Sequence, residues 1–247
     1  MIKFSKFDSK LLNLRVGKLT LRIRSGRDAK NMQRLLKNTN YDLVLIAMED
    51  DNCLAINSLI GQGAHLSQIK VELSLRLRKL IYLHKFDVKS YSVSLNDHKP
   101  EDKLYLKNLA AELSKNSRFS CKIFSRGISK RLYEKWLENS LNKKVSNRNY
   151  FLKDNKKDRI VGMTTVKVNG NKSEIGLMII HPRYRGRGLG KYLLREVLRD
   201  LSKNHIVSLS LKTELANLRA LNFYGSFGFE LKRSLFLLEF FKKEGEI

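Results

Sequence analysis

Apolar and polar positions divide the chain into a loosely patterned first part and a sharply patterned last third. Leu19 to Arg24 alternates with period two and predicts a strand with one wet face. Asp28 to Asn38 follows with helical spacing, and the apolar run Tyr41 to Met48 predicts a buried strand. Glu49, Asp50 and Asp51 are acidic residues suited to a helix N-terminus. Cys53, Leu54, Ile56, Leu59 and Ile60 form that helix's stripe, and Gly61-Gln62-Gly63-Ala64 ends it. Ile69 to Leu77 alternates again as a strand, and the polar stretch Val88 to Lys103, which contains Pro100, reads as a connection between halves. Helical spacing returns in Leu104 to Leu113 and in Ile128 to Leu141, where Leu132, Tyr133, Trp136 and Leu137 share one side. Lys143 to Lys157 is polar and basic, an exposed loop or hairpin tip.

From Arg159 the pattern sharpens. Ile160 to Val168 predicts a strand, Asn169-Gly170-Asn171 a hairpin turn, and Glu174 to Ile180 the returning strand. Pro182 and a glycine-rich stretch lead into an amphipathic helix, Lys191 to Leu201. A strand (Ile206 to Leu211), a helix (Asn217 to Phe227) and a last strand (Leu231 to Phe240) complete the series. The fold class expected is mixed α/β, with a glycine-rich junction between strand and helix.

Composition narrows this picture in a few respects. A chain of 247 residues with 42% hydrophobic content has the size for two modest cores, so two domains are expected. The net charge of +25 is spread along the whole chain. It is compatible with a compositional bias, with attraction of polyanionic small molecules and with nucleic acid, and it does not choose among them. Cys53 and Cys121 lack metal-like spacing, which points to reduced thiols; no metal is expected. The first residues lack a signal-peptide pattern, and no window approaches the ~18 consecutive apolar residues of a membrane span. A cytoplasmic chain with no membrane association is expected.

Candidate chemistry lies at the junction. A strand that ends in glycines and opens a helix presents free backbone N–H groups beside a positive helix end, which suits an anion such as a diphosphate. Gly186, Gly188 and Gly190 permit close approach and angles that a side chain would forbid, while Arg185, Arg187 and Lys191 add charge. Taken alone, the stretch also reads as a loop whose glycines merely turn the chain. The spacing fits neither G-x-x-x-x-G-K-[ST] nor the dinucleotide-binding order.

Ile180-His181-Pro182-Arg183-Tyr184-Arg185-Gly186-Arg187-Gly188-Leu189-Gly190 resembles the V-x-P-x-Y-R-G-x-G-I-G signature of the GNAT superfamily of N-acetyltransferases. The stretch from Asn217 through Ala220, Phe223, Tyr224 and Gly228 to Phe229 resembles that family's N-x-x-A-x-x-F-Y-x-x-x-G-F. The resemblance implies acetyl-CoA as co-substrate, its pyrophosphate held by Arg185, Gly186, Arg187, Gly188, Leu189, Gly190 and Lys191. It implies that backbone groups of Met178 and Ile180 pair with the pantetheine arm, that Asn217 contacts the coenzyme, and that Tyr224 is the general acid for the departing thiolate. Attack needs a neutral amine, so a base is required. Glu174 is the candidate, because in an unbroken strand it shares a face with Ile180. His181 reads as a loop residue more than as a base.

Further residues resemble the dTDP-fucosamine (dTDP-4-amino-4,6-dideoxygalactose) acetyltransferase family. They are Lys6 to Leu12, Tyr41 to Val44, Ala55 to Leu59 with Gly63, Ser117-Arg118-Phe119, and Leu132 to Ser140 with Tyr133 and Trp136. That family couples a degenerate GNAT-like domain, here residues 1–105, to a catalytic GNAT domain, here 106–247. It implies a nucleotide-linked amino-deoxysugar as acceptor, a place in polysaccharide biosynthesis and a homodimer. Lys122 stands where the family has an acidic residue, and Ala64-His65 where it has an aromatic, so the acceptor loops depart from the pattern. A protein N-terminus, polyamine or other small amine is the alternative acceptor. A nucleic-acid-binding or regulatory GNAT-like protein is a reading of another class, against which stand the intact tyrosine and glycines.

Overall fold

The computed structural model describes residues 1–21, 26–49, 53–77, 90–116 and 127–242. In the first half the elements are β1 (Lys3–Phe4), α1 (Lys6–Leu12), β2 (Val16–Leu21), α2 (Gly26–Lys37), β3 (Leu43–Met48), α3 (Cys53–Ile60), β4 (Ala64–Arg76), β5 (Tyr91–Leu95) and α4 (Asp102–Ala111). They continue as α5 (Ile128–Leu141), β6 (Arg148–Asp154), β7 (Arg159–Asn169), β8 (Lys172–Ile180), α6 (Leu189–Lys203), β9 (Ser208–Glu214), α7 (Leu218–Gly225) and β10 (Glu230–Phe241). Several predicted features lie outside the described residues: Arg22 to Arg24, Asp50-Asp51, the start of the Val88 to Lys103 connection, Ser117-Arg118-Phe119, Cys121 and Lys122.

The mixed α/β class is as expected, and two segments differ from the sequence reading. The polar connection contains β5, and the expected exposed loop contains β6, whose Tyr150, Phe151 and Leu152 are almost fully buried. Both strands are short and flanked by charge, so their apolar signal is weaker than the helices beside them. β6 is buried because it pairs with β5 on one side and β7 on the other.

The ten strands of the described residues form one sheet in the order β1-β2-β3-β10-β4-β9-β8-β7-β6-β5. β10 lies antiparallel between β3 and β4, setting Phe236 opposite both Met48 and Ile69. β4 in turn lies between β10 and β9. Each half of the chain thus lends a strand to the other. Leu238 of β10 packs with Leu19, Ile46 and Leu59, whereas Leu73 and Leu75 of β4 pack with Leu193, Val197 and Leu209. Burying one such side chain contributes about 1.5–3 kcal/mol. The sheet is continuous across the expected boundary at residue 105, which falls inside α4.

α6 and α7 cover one face of β6 to β9, and α4 and α5 cover the other face of β6 to β8. α6 is further tied to the sheet at Asp200, whose carboxylate accepts from Tyr150 Oη at 2.6 Å and pairs with Arg148. Burial and the Asp200 carboxylate push the Tyr150 phenol above its ordinary range, so it stays a donor. Among the described residues no helix is long and apolar enough to cross a membrane.

Candidate functional site

The glycine-rich loop leaves the end of β8 through a tight turn at Pro182–Tyr184. Tyr184 is buried, and its hydroxyl donates to Asp154 Oδ2 at 3.1 Å, anchoring the loop on β6. The Arg187 guanidinium stacks 5.3 Å from the Tyr184 ring centre, and Arg185 Nε donates to the Ile180 carbonyl at 3.0 Å. His181 Nδ1 accepts the Arg183 N–H at 3.3 Å, while its ring stacks on Tyr105. Burial and the nearby Arg159 and Arg183 hold its pKa below the ordinary histidine value, so it serves the turn as a neutral acceptor.

Gly186 and Gly188 sit at φ +79° and +74°, angles that side chains rarely adopt. Gly188 is the N-cap of α6 and supplies no side-chain acceptor, so the helix opens with bare N–H groups and a positive end. Gly190 differs: a Cβ there would meet Phe223 at only 3.5 Å, an ordinary contact. Its bareness leaves the helix surface flat toward the space beside it.

That space is a cleft of about 480 Å³ between the end of β8, the start of α6 and α7. It lies within the size range of ligand sites. Every position expected to hold the cofactor lines it except Arg187, which is turned onto Tyr184. Arg219 and Phe223 also line it and were missed by sequence reading. Their signal is the i,i+4 spacing on α7, which puts both on one helix face. Arg219 occupies a variable position of the second motif, so pattern matching passes over it.

β8 contains the feature that shapes the site. Thr165 faces Leu177 and Val166 faces Ile175, so Gly176 is an extra residue, a β-bulge. Leu177 N–H donates to Thr165 Oγ1 at 3.0 Å, and Thr164 Oγ1 donates to the Leu177 carbonyl at 2.9 Å, so two threonine side chains hold the bulge. β8 pairs with β9 only from Lys172 to Ile175, and beyond the bulge the two parallel strands part into a fork. His181 N–H donates to Val161 at 2.8 Å. By the alternation of an antiparallel ladder, the backbone groups of Ile180 and Met178 therefore point away from β7 and into the fork.

The bulge also corrects the placement of Glu174. An unbroken strand would set it on the face of Ile180; instead Ile175, Met178 and Ile180 pack toward α6 and α7, and Glu174 points to the opposite face. There it is half-exposed and pairs with Lys212 at 3.3 Å, lining neither the large cleft nor the fork. Period-two counting fails at a bulge because one residue is added to one strand only.

Tyr224 is buried between Phe223 and Phe229, and its hydroxyl reaches Met178 Sδ at 3.4 Å. Burial pushes its pKa above the ordinary phenol value, so it keeps its proton at neutral pH. Asn217 caps α7: its Oδ1 accepts the Ala220 N–H at 3.2 Å and its Nδ2 donates to Thr213 Oγ1 at 3.4 Å. This cap gives the spacing Asn-x-x-Ala a structural basis. A smaller cleft of about 130 Å³ opens at the fork and shares Met178, Asn217, Ala220 and Tyr224 with the larger one. No group of three or more metal-ligating side chains occurs among the described residues.

Residues 116–229 match the Acetyltransferase (GNAT) family. The N-alpha-acetyltransferase 30 of Saccharomyces cerevisiae is 31% identical over 72 residues, 29% of this chain and 40% of that protein. The chain thus spans well under half of the curated relative it matches. A tandem GNAT protein from the clavulanic acid biosynthesis pathway superposes with a TM-score of 0.59 at 14% identity, covering 91% of this chain and 72% of the other. A GCN5-related N-acetyltransferase from Sphaerobacter thermophilus gives 0.56 at 14% identity, covering 82% and 61%. At these identities the structures establish the fold. The family match spans the glycine loop, Asn217 and Tyr224.

Proposed function

We propose that this protein is an N-acetyltransferase that moves the acetyl group of acetyl-CoA directly to a primary amine. One observation carries the reading: the anion-suited cleft and the fork in the sheet meet at Tyr224. The residues fit the coenzyme. The bare first turn of α6, with Arg185 and Lys191 beside it, offers N–H groups and charge to a pyrophosphate. The edge of β8 at Met178 and Ile180, which has no neighbouring strand and only the Arg185 side chain on the Ile180 carbonyl, offers a strand edge to the pantetheine amides. Asn217 and Arg219 border the same cleft, while Arg187 acts on it through Tyr184.

In this reading the acceptor ammonium first loses one proton to a base. The amine nitrogen then bonds to the thioester carbon, the C–S bond breaks, and the electron pair leaves on sulfur. Tyr224 gives its proton to that sulfur and regains one from the nitrogen. The balance is R-NH3+ plus acetyl-CoA to R-NH-acetyl plus CoA-SH plus one proton. A buried phenol that keeps its proton at neutral pH is available as that donor.

A nucleotide-linked amino-deoxysugar is the acceptor implied by the resemblances in the first part of the chain. A protein α-amine is the second reading, and the 72-residue likeness to an N-alpha-acetyltransferase favours it. The test is thiol release from acetyl-CoA with dTDP-linked 4-amino sugars, with short peptides and with polyamines. Turnover of the sugars alone supports the first acceptor and turnover of the peptides alone the second. No thiol release with any amine, in a protein that fails to bind acetyl-CoA, overturns the enzymatic reading.

A further inference from the structure

Glu174 lines neither cleft, and the fork contains another carboxylate. Glu214 ends β9, is 14% exposed and lines the small cleft that Tyr224 also lines. Its side chain is oriented from two directions. Lys70 lies 3.6 Å from Oε1, and Thr213 Oγ1 donates to Oε2 at 3.5 Å, itself accepting from the cap residue Asn217 at 3.4 Å. Both contacts to the carboxylate are long. A carboxylate has about four acceptor positions, so these two orient Glu214 and leave room for a further donor.

Resting on the acetyltransferase reading above, we propose that Glu214 is the carboxylate that receives the acceptor's ammonium in the fork and takes its proton. The cleft suits a cation. On its other wall are Trp136 and Tyr133, stacked at 6.0 Å, and aromatic faces attract an ammonium. Gly176 keeps the wall low: a Cβ there would meet Thr165 Oγ1 at 3.0 Å and come within 3.7 Å of the Trp136 indole nitrogen. At about 130 Å³ the cleft is much smaller than its neighbour of about 480 Å³. It admits the amine-bearing end of an acceptor, a compact head, while any nucleotide or polypeptide attached to it lies outside. Lys70 comes from β4, so the first half of the chain completes the acceptor end of the site.

The protein carries its own reporter, because Trp136 is its single tryptophan. Propylammonium chloride, titrated into the full chain with CoA present, is expected to change Trp136 fluorescence in a saturable way, while propanol is not. Glu214→Gln is expected to weaken that response about 10- to 100-fold, the loss of a charge-assisted hydrogen bond. Glu214→Asp, which keeps the charge, is expected to retain part of it. Coenzyme binding, measured by calorimetry, is expected to stay within about twofold in both variants, since Glu214 does not line the larger cleft. An unaltered ammonium response in Glu214→Gln, or its loss in Glu174→Gln instead, overturns the assignment. A protein that responds to ammonium through Glu214 but binds no acetyl-CoA would overturn the acetyltransferase reading and leave the ammonium site standing.

Discussion

The two clefts that meet at Tyr224 are built on different plans. The larger is mostly backbone: a run of glycines, a bare helix end and a strand edge with no neighbouring strand, contributed mainly by one continuous stretch from Met178 to Lys191. The smaller is mostly side chains, drawn from β4, α5, β8, β9 and α7. A backbone cradle needs only the local turn to be right. A side-chain cleft needs the whole sheet in register, and here that includes a strand from the other half of the chain. The donor end is therefore a local property of the chain, and the acceptor end a global one.

Four expected outcomes sharpen that contrast. Truncation before Glu230 removes the strand that joins β3 to β4, including the buried Leu235, Leu237 and Leu238. At about 1.5–3 kcal/mol each these rival the ~5–15 kcal/mol of a whole domain, so loss of cooperative unfolding is expected by circular dichroism. A cooperative, coenzyme-binding truncation would break the claim that the halves are interlocked. Tyr224→Phe is expected to lower turnover by about 10²–10⁴ with coenzyme affinity preserved; an unchanged rate in steady-state assays would remove its role as acid.

Smaller effects follow. Gly188→Val places a branched side chain at φ +74°, which costs on the order of 1–3 kcal/mol. Calorimetry should find acetyl-CoA binding weakened at least tenfold while the Trp136 response to ammonium persists. Loss of both would show that the two clefts are not independent. Tyr150→Phe deletes the hydrogen bond to Asp200 and is expected to cost about 2 kcal/mol of stability in urea melts. Neither ligand's affinity should change.

The same contrast explains what was legible in the sequence. The hairpin β7–β8, the glycine loop and helices α5 to α7 could be read from local pattern, because turns, caps and amphipathic spacing act within a few residues. β6 could not, since the burial of Tyr150 to Leu152 comes from neighbours in the sheet. Neither could the exchange of β4 and β10, because period-two alternation says which residues face inward and not which strand lies alongside. Glu174 was misplaced by a single added residue at Gly176, and a glycine in a strand is a faint signal of a bulge. Glu214 carried no motif at all; it gains meaning only from Lys70 and Trp136, which lie far from it in sequence.

The position of β10 also sets an order of events during synthesis. A ribosome releases the chain from its first residue onward, and in the finished sheet β3 and β4 flank a strand that is made after both of them. Nothing fills that place until Glu230 to Phe241 appear, long after Arg76 has ended β4. The nascent first half therefore waits with β3 open on one side and β4 open on both, a state prone to pairing with other chains. Speed of elongation and access to chaperones should affect the yield of this protein more than that of a chain whose sheet closes in sequence order.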